Sequence, residues 1–216
     1  SPSTFLISQH ARMGFDTSRF VKIPNFINTT AFVPNYEPGS YLLYVGRLSR
    51  EKGLTLAVKA CAQMNYPLVV AGEGYLHEEL QAFVEKSHAP VKFTGFLTGD
   101  KLKSLIAGAR AILVPSLCYE NNPLIVLEAF ASGKAVFGSN IGGIPELIDE
   151  SVGGLFEPNN VDSLIDVLQR NIFNDNKMRN MGENARMRVE QDYTPNHHLA
   201  QLLEVFTSAI DNYKMR

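Results

Sequence analysis

Short apolar runs alternate with longer stretches of helical spacing along most of this chain. Strand-type runs are Tyr41–Val45, Leu68–Ala71, Val91–Thr94, Ala111–Val114, Ala135–Gly138 and Gly154–Phe156. Most are continuously apolar, as strands covered on both faces should be. Helix-type patterns fall between them, near 53–64, 76–87, 99–108, 123–132 and 144–149. This alternation predicts βαβ units, and right-handed crossovers then place helices on both faces of a mainly parallel sheet. The fold class is α/β, a doubly wound parallel sheet of about six strands.

From Val161 onward the pattern is purely helical, with helices predicted near 161–173, 176–190 and 196–213. The last carries Leu199, Leu202, Leu203, Phe206, Ile210 and Tyr213 on one stripe. That stripe is expected mainly to cover the sheet; the alternative is packing on a second domain. The first 40 residues end in a Pro/Asn/Thr-rich stretch from Pro24 to Gly39 and read as a linker rather than part of the sheet.

Composition narrows the function classes. Of 216 residues, 45% are hydrophobic and 19% charged, enough for a substantial core. Lys and Arg total 20 against 22 acids, a net charge of −2, which lacks the basic footprint of a nucleic-acid binder. The longest apolar run, Leu105 to Pro115, is cut by Arg110 and is too short to span a bilayer. Cys61 and Cys118 make no disulfide framework, so a reducing compartment is expected. The chain opens on Ser1, and Arg12, Asp16, Arg19 and Lys22 break up any signal-peptide pattern. The opening reads as the inside of a longer polypeptide.

In a doubly wound sheet, ligands bind beyond the carboxyl ends of the strands. The loops there read Gly46–Lys52, Gly72-Glu73-Gly74, Gly95-Phe96, Pro115–Asn122 and Ser139–Gly143. Four of the five contain glycine, which fits ordinary turns and also fits close approach of a ligand to backbone. The dinucleotide fingerprint fails, because His77 stands where a third glycine is needed. There is no P-loop, no Asp-x-Asp pair, no His/Cys cluster at metal spacing and no Gly-x-Ser-x-Gly elbow. His197-His198 reads as a solvated helix start. No metal site and no cofactor are expected.

Two constellations remain. Arg47 and Lys52 lie just past the first strand. Together they can neutralise a diphosphate, one as a planar fork and one as a point charge; a solvated basic loop is the other reading. Glu120 and Glu128 flank Asn121-Asn122-Pro123, where Asn122 is expected to cap a helix that starts at Pro123. The amides of Leu124 and Ile125 then face the loop as an anion site. Glu128 has Leu124, Ile125, Ala131 and Ser132 as its helical neighbours. It must serve a ligand such as a ribose, or be satisfied by a backbone N–H or by Lys52.

These residues resemble the C-terminal half of the family 4 retaining glycosyltransferases, two-domain enzymes of the GT-B fold. The ordered matches are Val45-Gly46-Arg47 with Lys52, Val70–Gly74, Phe93–Phe96, Pro115-Ser116, Glu120 with Glu128, Glu128–Val136, and Gly142–Ile148. The resemblance covers about residues 41–165 and implies a Rossmann-like, nucleotide-sugar-binding domain over 41–216. Residues 1–40 would be the remnant of an N-terminal domain and the interdomain linker. Ser1–Leu6 would belong to that domain's last strand and helix.

It further implies that Arg47 and Lys52 hold the diphosphate and that Gly46 lets it approach. Glu120 would contact the sugar, Glu128 the ribose, and the backbone of Asn121, Asn122, Leu124 and Ile125 the phosphate or sugar. Gly72, Gly95 and Phe96 would border the base. Arg47, Lys52 and Glu120 are the residues nearest the chemistry. Many relatives carry Glu-Gly-Phe-Gly where this chain has Glu120-Asn121-Asn122-Pro123, so sugar identity is left open.

The implied activity is metal-independent transfer of a sugar from a nucleotide diphosphate sugar to an acceptor hydroxyl, with retention. The acceptor, a glycan or lipid-linked glycan, would bind through the missing N-terminal domain, so the fragment alone is expected to be inactive. The expected location is the cytoplasm, including the inner face of a membrane. A nucleotide-binding or regulatory module without catalysis is the alternative. A GT-B epimerase or phosphorylase has less support, since Lys134 is the one lysine near the motifs and lacks a distinctive context.

Overall fold

The computed structural model describes residues 1–214, the side chains of Tyr213 and Lys214 excepted. Six parallel strands form one sheet: β1 (Leu42–Val45), β2 (Leu68–Ala71), β3 (Val91–Gly95), β4 (Ala111–Val114), β5 (Ala135–Ser139) and β6 (Gly153–Phe156). Their order, β3-β2-β1-β4-β5-β6, is that of a doubly wound sheet, with its switch point between β1 and β4.

Side chains alternate across the sheet, so each continuous apolar run feeds two cores. Leu42, Tyr44, Leu68, Val70, Leu113 and Phe137 pack under α2 (Leu54–Met64), α3 (His77–Ser87) and α6 (Val161–Gln169). Leu43, Ile112, Val114 and Val136 pack under α4 (Gly99–Ala107) and α5 (Leu124–Ala131). Helix α7 (Asp175–Asp192) serves both, with Met178 and Met181 in the first core and Ala185 and Val189 in the second.

Three expectations are corrected. The predicted helix at 144–149 is only a 3-10 turn, Ile144–Glu146. Pro145 sits within it, and Ile144, Leu147 and Ile148 are buried as in a packed loop. The predicted 161–173 helix stops at Gln169. The stripe on α8 (Pro195–Lys214) does not cover the sheet: Leu199, Leu203, Phe206 and Ile210 are each more than half exposed. Helices α2 to α7 already occupy the faces of the sheet. Tyr213, named as part of the stripe, lies outside the described side chains.

Among residues 1–40 the structure has α1 (Thr4–Arg12) and a 3-10 turn (Thr29–Ala31). The expected strand at the start is absent; Ser3 instead caps α1 by accepting from the Leu6 amide at 3.1 Å. The segment is tied to the sheet domain. Glu146 accepts from the amides of Thr4 (3.0 Å) and Phe5 (2.6 Å) and pairs with Lys22 at 2.7 Å. Among the described residues no helix is long and apolar enough to cross a membrane.

Candidate donor-binding site

The loops beyond the strands are bonded into one continuous rim. Gly46 donates to the Ala71 carbonyl (3.0 Å), Leu48 to that of Glu73 (2.9 Å), and Gly72 to that of Gly95 (2.9 Å). Across the switch point, the amides of Leu117 and Cys118 donate to the Glu51 carbonyl at 2.8 and 3.2 Å. Gly143 then donates to the Glu120 carbonyl at 2.6 Å. The rim therefore carries Arg47 and Lys52 from the loop after β1 beside Ser116 to Asn122 from the loop after β4.

Close backbone contact explains much of the glycine in these loops. A Cβ on Gly72 would sit 1.9 Å from the Gly46 carbonyl oxygen, and one on Gly143 would sit 1.9 Å from that of Asn121. These glycines let loop meet loop, so their spare room is taken by protein. Gly95 differs: a Cβ there would meet nothing nearer than Glu73 Oε1 at 4.0 Å. Phe96, beside it, is largely exposed.

Lys52 ends a 3-10 turn (Arg50–Lys52) closed by Gly53 in the left-handed region at φ +68°. The Gly53 Cα lies against Pro115, where a Cβ would fall 1.7 Å from the carbonyl oxygen. That contact sets Lys52 beside the second loop. Its Nζ meets Glu120 Oε1 at 2.5 Å, and the Ser116 hydroxyl donates to the same oxygen at 3.0 Å. The Lys52 partner is thus Glu120, not Glu128. Arg47 is the more exposed cation, with Glu51 3.7 Å away. Glu51 is itself held by the Ser49 hydroxyl at 2.6 Å, which keeps its carboxyl below the usual range.

Sequence reasoning missed Tyr44. This phenol, buried under the rim, donates to the Arg47 carbonyl at 2.6 Å. Burial raises its pKa, the charges of Glu120 and Glu51 add to that, and Arg47 opposes it. The fields of Arg47, Glu51 and Glu120 therefore converge on one hydroxyl. The only signal for Tyr44 in the sequence was a polar tip within an otherwise aliphatic strand.

The helix start is also corrected. Pro123 is the capping residue of α5, with extended backbone, and no side chain caps it. Asn122 is buried, and its Oδ1 has no hydrogen-bond partner. Its carbonyl accepts from Asn25 at 2.8 Å, a contact from the N-terminal segment. Among the described residues no protein acceptor meets the amides of Leu124 and Ile125. Asn121 is half-buried and Leu124 is exposed on the same loop and first turn. The loop thus carries free backbone donors, while the acceptor Asn122 Oδ1 is buried without a partner.

Glu128 lies one turn further in, on the half-buried side of α5. Burial raises its pKa. No hydrogen bond or ion pair reaches its carboxylate among the described residues, so neither a backbone N–H nor Lys52 satisfies it. Lys134 is buried at the opposite edge of the sheet, where Nζ donates to the Glu37 carbonyl at 2.8 Å; it has no part in the rim. His198 is not simply solvated. It bonds to the Pro24 carbonyl at 2.8 Å and packs against Phe26 in a tilted arrangement with ring centroids 4.6 Å apart.

Known proteins share this architecture. In the solved structure of HepE from Anabaena in complex with UDP, the match covers 96% of this chain and 63% of that one, with a TM-score of 0.87 at 20% identity. Sucrose-phosphate synthase from Thermosynechococcus elongatus matches over 97% of this chain and 57% of its own, with a TM-score of 0.82 at 24% identity. At these identities the likeness establishes the fold, that of GT-B glycosyltransferases.

Curated relatives are nearer in sequence. The sulfoquinovosyl transferase of Arabidopsis thaliana is 33% identical over 164 residues, which is 73% of this chain and 31% of that protein. The lipopolysaccharide 1,2-N-acetylglucosaminetransferase of Salmonella typhimurium is 30% identical over 174 residues, 73% of this chain and 45% of that protein. The chain thus spans less than half the length of these relatives. The family model described as glycosyl transferases group 1 matches residues 28–188, most of the chain, and the chain belongs to that family.

Proposed function

We propose that the rim binds a nucleotide diphosphate sugar and that the protein transfers its sugar to an acceptor hydroxyl with retention and without a metal ion. The observation that carries this reading is the meeting of Arg47, Lys52 and Glu120 on one rim, beside the free amides of α5. Charge develops on the departing diphosphate during transfer. Cations and an unpartnered helix N-terminus at this edge stabilise that charge. Arg47 and Lys52 take the phosphates. Glu128 accepts from the ribose hydroxyls, which supply the donors its buried carboxylate lacks. Glu120 and Asn122 face the sugar, and the Gly95-Phe96 loop borders the base.

The acceptor, a glycan or lipid-linked glycan, falls to the part of the relatives that lies outside the matched half. The exposed stripe of α8 is the surface on which such a second domain packs. The HepE structure was solved with UDP, which supports a nucleotide as a ligand of this fold.

Titration with UDP, GDP and ADP tests the reading. One of the three should bind, and Arg47→Ala should weaken it by about 1.5–3 kcal/mol, the cost of losing a charged hydrogen-bonding group. Equal affinity in the variant would remove Arg47 from the site. Sugar transfer assayed with the 216-residue chain and with the longer protein tests the assignment of the acceptor.

A further inference from the structure

We propose that Glu120 holds Lys52 in reserve and yields it when a diphosphate arrives, so that one cation couples the phosphate end of the donor to its sugar end. This rests on the donor-binding reading above and adds an exchange of partners to it.

Neither cation is free of a carboxylate, but the two pairs differ in kind. Arg47 and Glu51 are 3.7 Å apart, with the Arg47 side chain 75% exposed; water screens such a pair heavily. Lys52 and Glu120 are 2.5 Å apart with side chains only 25% and 18% exposed. Among the described residues Glu120 is the one acceptor for the Lys52 ammonium. The Gly53–Pro115 contact fixes the backbone under Lys52 beside the second loop. The ammonium has three donors and Glu120 takes one of them, so a diphosphate that takes the others brings its charge up against the Glu120 carboxylate. Two anions crowded on one half-buried ammonium repel each other, so Glu120 has to let go.

What Glu120 meets next depends on the ligand. Once Glu120 swings away from Lys52, the Ser116 hydroxyl, 3.0 Å from Oε1 while the ion pair is formed, is its one remaining protein donor among the described residues, and the place of the ammonium beside the carboxylate is open. Sugar hydroxyls are donors and can fill it. A bare nucleoside diphosphate has none at that end and leaves a half-buried carboxylate short of partners. The exchange therefore favours the intact donor over the free diphosphate left after transfer, which helps the spent nucleotide to leave.

The test uses the full chain and calorimetric titration with UDP, GDP, ADP and inorganic pyrophosphate. Glu120→Gln keeps the size of the side chain and its contact with Ser116 while removing the competing charge. It should bind the nucleoside diphosphate about tenfold more tightly than the wild type. In a Lys52→Gln background the same change should alter affinity less than about twofold, because there is no cation left to exchange.

Unchanged or weaker binding by Glu120→Gln overturns the exchange. So does a gain of equal size in the Lys52→Gln background, which would mark general charge repulsion. If the wild type binds a probe and Lys52→Gln weakens it while Glu120→Gln does not tighten it, the exchange falls and the donor site stands. If neither wild type nor Glu120→Gln binds any probe, both fall.

Discussion

The Tyr44 hydroxyl donates a 2.6 Å hydrogen bond to the carbonyl of Arg47, joining the central strand to the residue that presents the outer cation of the rim. The bond is part-buried, with the phenol itself buried, so water replaces it only poorly when it is lost. Tyr44→Phe should lower stability by about 0.5–1.5 kcal/mol in urea denaturation and should weaken binding of the nucleoside diphosphate as the Arg47 loop loosens. Full stability together with unchanged affinity would show that the loop is held by its other bonds.

Gly53 offers a second measurement. Its φ of +68° and its contact with Pro115 exclude a side chain on two separate grounds. Gly53→Ala should destabilise the protein by about 1–3 kcal/mol and displace Lys52 from Glu120. A thermal melt reads the first effect and diphosphate titration the second. A variant as stable as wild type would mean that the turn can shift without cost.

Glu128 gives a pH-dependent expectation. Burial raises its folded-state pKa above the ordinary 4.5, so the folded protein favours the protonated carboxyl. Its stabilising contribution is complete below 4.5 and is lost as pH rises through the raised folded value. Glu128→Gln, which cannot ionise, should therefore gain stability relative to wild type as pH climbs from 4 to 7. The same variant should bind the nucleotide about 1.5–3 kcal/mol more weakly, since a charged acceptor for the ribose is gone. Parallel stability curves for the two proteins across that range would contradict the burial argument.

Lys134 predicts the reverse slope at alkaline pH. Burial lowers its pKa from 10.5 to about 8, and the Glu37 charge only partly offsets this. Between about 8 and 10.5 the unfolded chain binds the proton that the folded chain gives up, so this group makes stability rise with pH there. Lys134→Met should remove that slope in urea denaturations at pH 7.5, 9 and 10. Retention of the slope would assign it to other groups.

Much of the fold was legible before any coordinates. Six apolar runs bounded by turn residues gave six strands within a residue or two, because a strand buried on both faces admits few polar side chains. The helix at 144–149 failed because Ile144, Leu147 and Ile148 have helical spacing, yet a short packed loop buries the same positions. For α8, periodicity marked the apolar face correctly but carried no information on what faces it.

The candidate site divides along similar lines. Sequence by itself determined which polar residues gather beyond the carboxyl ends of the strands, because Arg47, Lys52, Glu120 and Glu128 fall in loops and a helix that chain topology sends there. Only the tertiary structure decided who pairs with whom. Lys52 took Glu120 and left Glu128 without a partner, and Glu146 went to the amides of α1. The glycines turned out to seat loop on loop. The Lys52 and Glu146 pairings join residues from 68 to 142 positions apart, and they depend on ångström-scale packing that local pattern along a chain does not encode.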